Sequence, residues 1–326
     1  MIFRGIKFPD AIAASGAVGN FGEGYWYSRF EEKVGILDKE GLGFVSKTAT
    51  LHARRGNTPF IYDGNYFPPV EVKPKSIVVD IVNKNVLNAV GLGNPGLKAF
   101  LKTGHWQNMV EPFWLSIMSI AATPEERIQE MEDMINLLMK EKPNFKSHFG
   151  LQINLSCPNT GHDTCGLSNE ANDMVNIAAK LDVPTMAKFS IATSTFENIL
   201  ELEKNPNLDA ICLSNTIPYN WEPDPYVFDH PLLWEKPFGE KSPLEYMGGG
   251  GISGKVIKPF VLEFISKLRK AGFKKHINGG GGIMEASDVD LYKEAGADSI
   301  FFGSVIMVRP LEVKRIIERA NNVFSK

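Results

Sequence analysis

The chain has 326 residues, 43% hydrophobic and 22% charged, with a formal net charge of −3, the balance of an ordinary globular protein. Lysines and arginines are scattered and adjoin only in pairs, so the electrostatic footprint of a nucleic-acid or anionic-membrane partner is absent. No apolar stretch approaches the roughly 20 residues that span a bilayer, no signal-peptide core follows the N-terminus, and three cysteines without a CxxC pair argue against a disulfide framework or a metal site and suit a reducing cytoplasm.

Short β-branched runs alternate with amphipathic stretches, the pattern of a parallel sheet with crossover helices. Taken in chain order, strands are expected at 10–14, 43–48, 113–117, 150–155, 185–189, 210–214, 275–278 and 299–302. Helices are expected at 96–102, 123–140, 171–181, 195–203, 258–270, 287–294 and 310–321. The clearest helix starts at Thr123 as a cap, with Pro124 in the first turn and Glu125 and Glu126 at the positive dipole end. Eight strands, each followed by a helix or its place, predict one α/β domain over 1–326, a closed (β/α)8 TIM barrel. Two stretches exceed the minimal unit, about 54–91 and 217–247. Both are expected to project from the C-terminal face, where barrel active sites are built.

The last two units carry glycine loops, Asn278-Gly279-Gly280-Gly281-Gly282-Ile283 and Gly303-Ser304. Loops after strands seven and eight form the recurrent phosphate grip of this fold, because glycine lets backbone N–H groups converge on an anion. The bland alternative is a tight turn. Lys47 and Lys188 end the second and fifth strands, where a lysine needs an anionic partner or must snorkel to the rim. The fourth strand ends in Ile153-Asn154-Leu155-Ser156-Cys157-Pro158-Asn159. A thiol there can act as a general base, although a lone cysteine is usually a small buried hydrophobe, the reading for Cys165 and Cys212. Asn88, Asn154, Asn159 and Asn215, with Thr216, gather carboxamides able to match the alternating donors and acceptors of a pyrimidine edge. Each alone could cap a helix or turn. Gly91-Leu92-Gly93-Asn94-Pro95-Gly96 matches the dinucleotide pattern, but outside a βαβ unit, and is read as chance.

These motifs resemble the dihydroorotate dehydrogenases, specifically the class 1 soluble branch with a cysteine base. The resemblance runs from Ala14-Ser15-Gly16 through Ser46-Lys47-Thr48, Arg55-Gly56-Asn57, Asn88 and the cysteine motif. It continues through Lys188, Asn215-Thr216, Gly251-Ile252-Ser253-Gly254 with Ile257-Lys258-Pro259, Gly281-Gly282 and Gly303-Ser304. It implies an FMN-dependent oxidation of (S)-dihydroorotate to orotate in pyrimidine biosynthesis, with Cys157 removing the C5 proton while hydride leaves C6 for flavin N5. By the same resemblance Asn88, Asn154, Asn159, Asn215 and Thr216 hold the pyrimidine, and Lys47, Gly91 and Leu92 meet its carboxylate. Ala14, Ser15, Gly16, Lys47, Thr48, Asn154, Lys188, Ser253 and Gly254 bind FMN, with Gly281, Gly282, Gly303 and Ser304 at its phosphate. Residues 160–168 would form a lid over Cys157.

The resemblance further implies a cytoplasmic homodimer acting on a small pyrimidine, with no nucleic acid and no membrane; no amphipathic N-terminal extension of the membrane-bound branch is present. Fumarate suits a self-sufficient homodimer as oxidant, whereas NAD requires a separate electron-transfer subunit. Two competing readings stay open. One is a dihydropyrimidine dehydrogenase-like reductase of free pyrimidines, which shares the cysteine run. The other is a non-redox barrel enzyme that binds a phosphorylated substrate. The unusual segments 19–27 and 217–247 are where the mouth would be reshaped.

Overall fold

The computed structural model of the chain describes residues 1–155, 170–231 and 234–325. It opens with β1 (Ile2–Phe3) and β2 (Ile6–Lys7), an antiparallel pair turning through Arg4 and Gly5, both at positive φ. Phe3 and Phe8 then pack on Trp114, at 5.7 and 4.7 Å between ring centroids, and plug the N-terminal end of the barrel. The first barrel strand is β3 (Ala11–Ala13), followed by a helix absent from the sequence reading, α1 (Trp26–Lys33). An antiparallel pair, β4 (Ile77–Asp80) and β5 (Asn85–Asn88), forms a hairpin within the 54–91 stretch, and α2 (Leu97–Thr103) follows.

From there strands and helices alternate: β6 (Phe113–Ile117), α3 (Pro124–Glu141), β7 (Phe149–Asn154), α4 (Ala171–Ala178), β8 (Thr185–Phe189), α5 (Phe196–Glu201) and β9 (Ala210–Leu213). Then come β10 (Ile217–Pro218) and β11 (Gly251–Gly254), which extend the β4–β5 hairpin into a four-stranded sheet in the order β10-β11-β5-β4. The last units are α6 (Lys258–Lys270), β12 (His276–Gly279), α7 (Ala286–Ala295), β13 (Ser299–Phe302), α8 (Ser304–Val308) and α9 (Val313–Phe324). As expected, Thr123 caps α3: its hydroxyl accepts from the Glu126 amide, and the Glu126 carboxylate accepts from the Thr123 amide, both at 3.2 Å.

Seven parallel strands lie in the order β3-β13-β12-β9-β8-β7-β6. The eighth position belongs to 43–49, which bridges the two ends of that sheet. Gly43 exchanges backbone hydrogen bonds with Ala11 and Ala13, while Val45 pairs with Trp114 and Ala49 with Ile117. Four steps on one strand therefore face three on the other, a one-residue bulge around Ser46–Thr48. The Ser46 hydroxyl fills the gap by accepting from the Ser116 amide at 2.9 Å. The ring is a (β/α)8 barrel.

The 217–247 stretch begins in β10, paired with β11 on the antiparallel sheet. Its aromatics turn outward onto α6: Trp221 and Phe228 lie 5.5 and 5.6 Å from Phe260, and Lys267 near the far end of α6 donates to the Val227 carbonyl at 2.7 Å. Burying these rings on a helix flank removes apolar area from water, which a loop arched into solvent cannot do. Among the described residues no helix is long and apolar enough to cross a membrane.

Candidate active site

Parallel pairing puts the C-terminal residues of neighbouring strands side by side, so the expected residues meet by register. Asn154 on β7 is level with Lys188 on β8, and Lys188 is level with Cys212 on β9. Asn215, two residues past β9, donates from Nδ2 to Asn154 Oδ1 at 3.1 Å, and its own Oδ1 accepts from the Thr216 amide at 3.0 Å. Asn154, Lys188 and Asn215 are all buried. The Lys188 ammonium stands 5.6 Å from the centre of the Phe301 ring, within cation–π reach. Cys212 is fully buried beside it. Burial pushes that thiol up to about 12, and the Lys188 charge opposes the shift.

A second group surrounds the end of β3. The Ala14 amide donates to the Phe302 carbonyl at 2.7 Å, which brings Gly303 so close that a Cβ on it would lie 2.9 Å from the Ala14 methyl. The Ser15 hydroxyl donates to the Ser46 carbonyl at 2.8 Å and lies 2.9 Å from Thr48 Oγ1, which lies 2.9 Å from Ser116 Oγ. The chain of hydroxyls ties the first, second and third barrel strands together under Gly16 and Lys47. Two residues that sequence reasoning missed brace this corner. Tyr25, just before α1, donates to the Gly16 carbonyl at 2.7 Å; burial, with Tyr27 and Glu23 adding, raises its phenol pKa. Asn94 donates to Leu92 and Thr50 and accepts from the Gly96 amide.

Lys47 reaches across to the Gly93 carbonyl, next to Gly91 and Leu92. The glycines of that turn are needed for packing, since a Cβ on Gly93 or Gly96 would lie 2.7 or 2.9 Å from backbone atoms of Arg55 or Ala53. The dinucleotide pattern is therefore a turn wrapped by the neighbouring chain. Arg54 also donates from Nε to the Gly91 carbonyl at 2.9 Å.

The third group is the glycine-rich one. Asn88 pairs with Gly251 in the antiparallel sheet and donates to its carbonyl at 3.4 Å. Ser253 Oγ and Ser304 Oγ lie 2.8 Å apart. Gly282, at φ +80°, packs where a Cβ would lie 2.5 Å from the Gly254 carbonyl oxygen. The Ser214 amide donates to the Gly280 carbonyl at 2.7 Å, joining this group to the Asn154–Lys188–Asn215 group. Thus every expected residue among the described ones lies at one end of the barrel. Cys157, Asn159, Cys165 and the expected lid at 160–168 lie outside the described residues.

Residues 3–324 match the family model described as dihydroorotate dehydrogenase. The chain belongs to the dihydroorotate dehydrogenase family. Curated relatives named dihydroorotate dehydrogenase B (NAD(+)), catalytic subunit, are 25% identical over 315 residues in Thermotoga maritima, covering 94% of this chain and 95% of the relative. The counterpart in Bacillus cytotoxicus is 28% identical over 316 residues, covering 95% and 87%. In structure the chain is similar to Eimeria tenella DHODH solved with ferulenol, at TM-score 0.63 and 16% identity, covering 96% of this chain and 81% of the other. That likeness bears on the fold. This dihydroorotate dehydrogenase family member is an oxidoreductase acting on a CH–CH bond, and a flavoprotein.

The residues present fit a flavin. Close-packed glycines at 254, 282 and 303 leave backbone and two serine hydroxyls, without bulky side chains, a lining that suits a phosphate. A buried lysine level with Asn154, whose carboxamide accepts from that of Asn215, offers the positive charge and hydrogen-bond donors that suit the negative charge of a reduced flavin.

Proposed function

We propose that this chain oxidises dihydroorotate to orotate with FMN as its flavin, in the manner of the class 1 enzymes that use a cysteine base. The observation that carries the reading is the buried Asn154–Lys188–Asn215 group at the C-terminal end of the barrel, a lysine flanked by two carboxamides in mutual contact. When bound, FMN supplies the acceptor for the hydride that leaves C6. Cys157, three residues beyond Asn154, takes the C5 proton. Asn88, Asn154, Asn159 and Asn215, with Thr216, hold the pyrimidine ring flat by pairing with its alternating N–H and C=O edge. Lys47, beside Gly91 and Leu92, meets the carboxylate.

Ala14, Ser15, Gly16, Thr48, Ser253, Gly254, Gly281, Gly282, Gly303 and Ser304 would hold the cofactor, and Lys188 would supply positive charge to balance the negative charge of its reduced ring. Because the C5 proton is only weakly acidic, orientation and charge placement carry more of the rate than base strength. The protein works in the cytoplasm as a homodimer, acting on a small pyrimidine.

An anaerobic titration of the purified protein tests this. Dihydroorotate should bleach the flavin absorbance stoichiometrically. A colourless protein would sink the flavin reading, and a yellow protein that dihydroorotate leaves coloured, but whose reduced flavin is reoxidised by uracil, would redirect it to free pyrimidines. Reoxidation by fumarate alone marks a self-sufficient enzyme. Reoxidation by NAD only with an added second subunit marks the arrangement carried in the relatives' names.

A further inference from the structure

We propose that Lys258, Asp288 and Tyr292 form a latch that fixes the two glycine loops against each other and thereby sets the affinity for the flavin phosphate, as positioning residues that do not touch it. The inference rests on the flavin reading above. The first, Ser253–Gly254 at the end of β11, is joined by the short turn Lys255–Ile257 to α6, whose first residue is Lys258. The second, Gly281–Gly282, leads into α7, whose third residue is Asp288. The Lys258 ammonium is in contact with Asp288 Oδ1, and Asp288 is almost wholly buried. The other carboxylate oxygen, Oδ2, accepts from the amides of Met284 at 2.7 Å and Glu285 at 3.3 Å. One side chain thus grips the start of α6 and the loop before α7 together.

One turn further along α7, the Tyr292 hydroxyl donates to the Gly281 carbonyl at 2.6 Å. Residues four apart share a helix face, so Asp288 and Tyr292 hold the same loop at both of its ends. Gly282 is clamped between the halves of the latch. A Cβ there would lie 2.5 Å from the Gly254 carbonyl oxygen and 2.8 Å from the Lys258 Cβ. Moving either loop by a few tenths of an ångström therefore moves the other, along with the hydroxyls of Ser253 and Ser304.

The arrangement separates two roles for Lys258. Its charge is matched by a buried carboxylate, so it acts on an anion through the shape of the loops. A lysine that instead served the phosphate directly would be released, and made more effective, by removing Asp288. The two roles give opposite signs in one experiment. The full chain, stripped of flavin, is titrated with FMN and separately with riboflavin, which lacks the phosphate, following flavin fluorescence.

The latch predicts that Asp288→Asn, Lys258→Met and Tyr292→Phe each weaken FMN binding about ten- to a hundredfold, the range for losing one charge-assisted or buried hydrogen bond. Riboflavin affinity should be unchanged. The Lys258→Met/Asp288→Asn double variant should be no weaker than either single one, because both break the same contact. Unchanged or tighter FMN binding in Asp288→Asn overturns the latch, and so does a parallel loss of FMN and riboflavin affinity. Tyr292→Phe, which deletes a single oxygen, carries the test if the charge variants do not fold. Wild-type protein that binds neither flavin overturns the flavin reading instead.

Discussion

Solvation sets the reactivity of Cys212. It lies on β9, level with Lys188 on one side and Asn278 on the other, with no exposed surface. Burial pushes its pKa up to about 12. At pH 8 such a thiol is ionised in about one molecule in 10⁴, against roughly one in four for a free cysteine of pKa about 8.5. The scarcity of thiolate alone slows alkylation about 10³-fold, before the enclosing barrel excludes the reagent. Iodoacetamide at pH 8, followed by peptide mass spectrometry over time, reads this directly. Cys212 should stay unmodified in the folded protein and react at an ordinary rate in urea. Modification in the folded state within tenfold of the unfolded rate would refute the reasoning. The proposed base behaves oppositely: Cys157→Ala should keep its flavin but lose about 10²–10⁴-fold in the rate of flavin reduction, the usual worth of a positioned base. Cys212→Ala should leave that rate nearly unchanged.

Three further outcomes follow from packing and charge. Ser46→Ala removes the acceptor that serves the Ser116 amide inside the barrel wall, and should cost about 1–3 kcal/mol in urea unfolding; a loss under about 0.5 kcal/mol would mean the amide finds another partner. Arg127, buried in α3, donates to both carboxylate oxygens of Glu170 and to the carbonyls of Ala121 and Ala122. Arg127→Met should cost about 3–5 kcal/mol by stranding Glu170, and adding Glu170→Leu should recover part of it; strict additivity would contradict the pairing. His276 is partly buried under Phe3 with Nε2 2.7 Å from Ser299 Oγ, and burial, which outweighs the opposing pull of Asp298, holds its pKa down to about 4. Below its unfolded value of about 6.5 the unfolded chain takes a proton that the folded one refuses. Stability should therefore be level above pH 6.5 and fall by up to about 3 kcal/mol towards pH 4, a slope that His276→Gln should flatten.

Strands whose residues are buried on both faces were legible because they form continuous apolar runs. The stretches 113–117, 185–189 and 299–302 have the bounds expected from sequence, as does the helix at 258–270. Helix α1 was not legible. Trp26 and Phe30 remain exposed and only Ser28 is buried, so its apolar spacing does not mark a core face. The destination of 217–247 was hidden for another reason: the partners of its rings, Phe260 and Phe264, lie some forty residues on and belong to a helix that reads complete without them. In the site, Asn154, Lys188 and Asn215 were visible because each lies at or just past the end of a strand, and parallel strands align their ends. Lys258 stood in the Ile257-Lys258-Pro259 run of the resemblance with no role attached to it, and Asp288 carried no mark. Their pairing shows only when tertiary structure brings them together.

The surplus residue in the second barrel strand has a topological consequence for Lys47. An open sheet can discharge a misfit by sliding its edge strand, but this strand is seamed on both sides, to β3 through Gly43 and to β6 through Val45 and Ala49. A slip would have to break both seams together and would turn every alternate side chain to the wrong face. The direction in which Lys47 points is thus locked by closure of the ring, and lengthening or shortening the loop beyond Thr50 should leave it where it is.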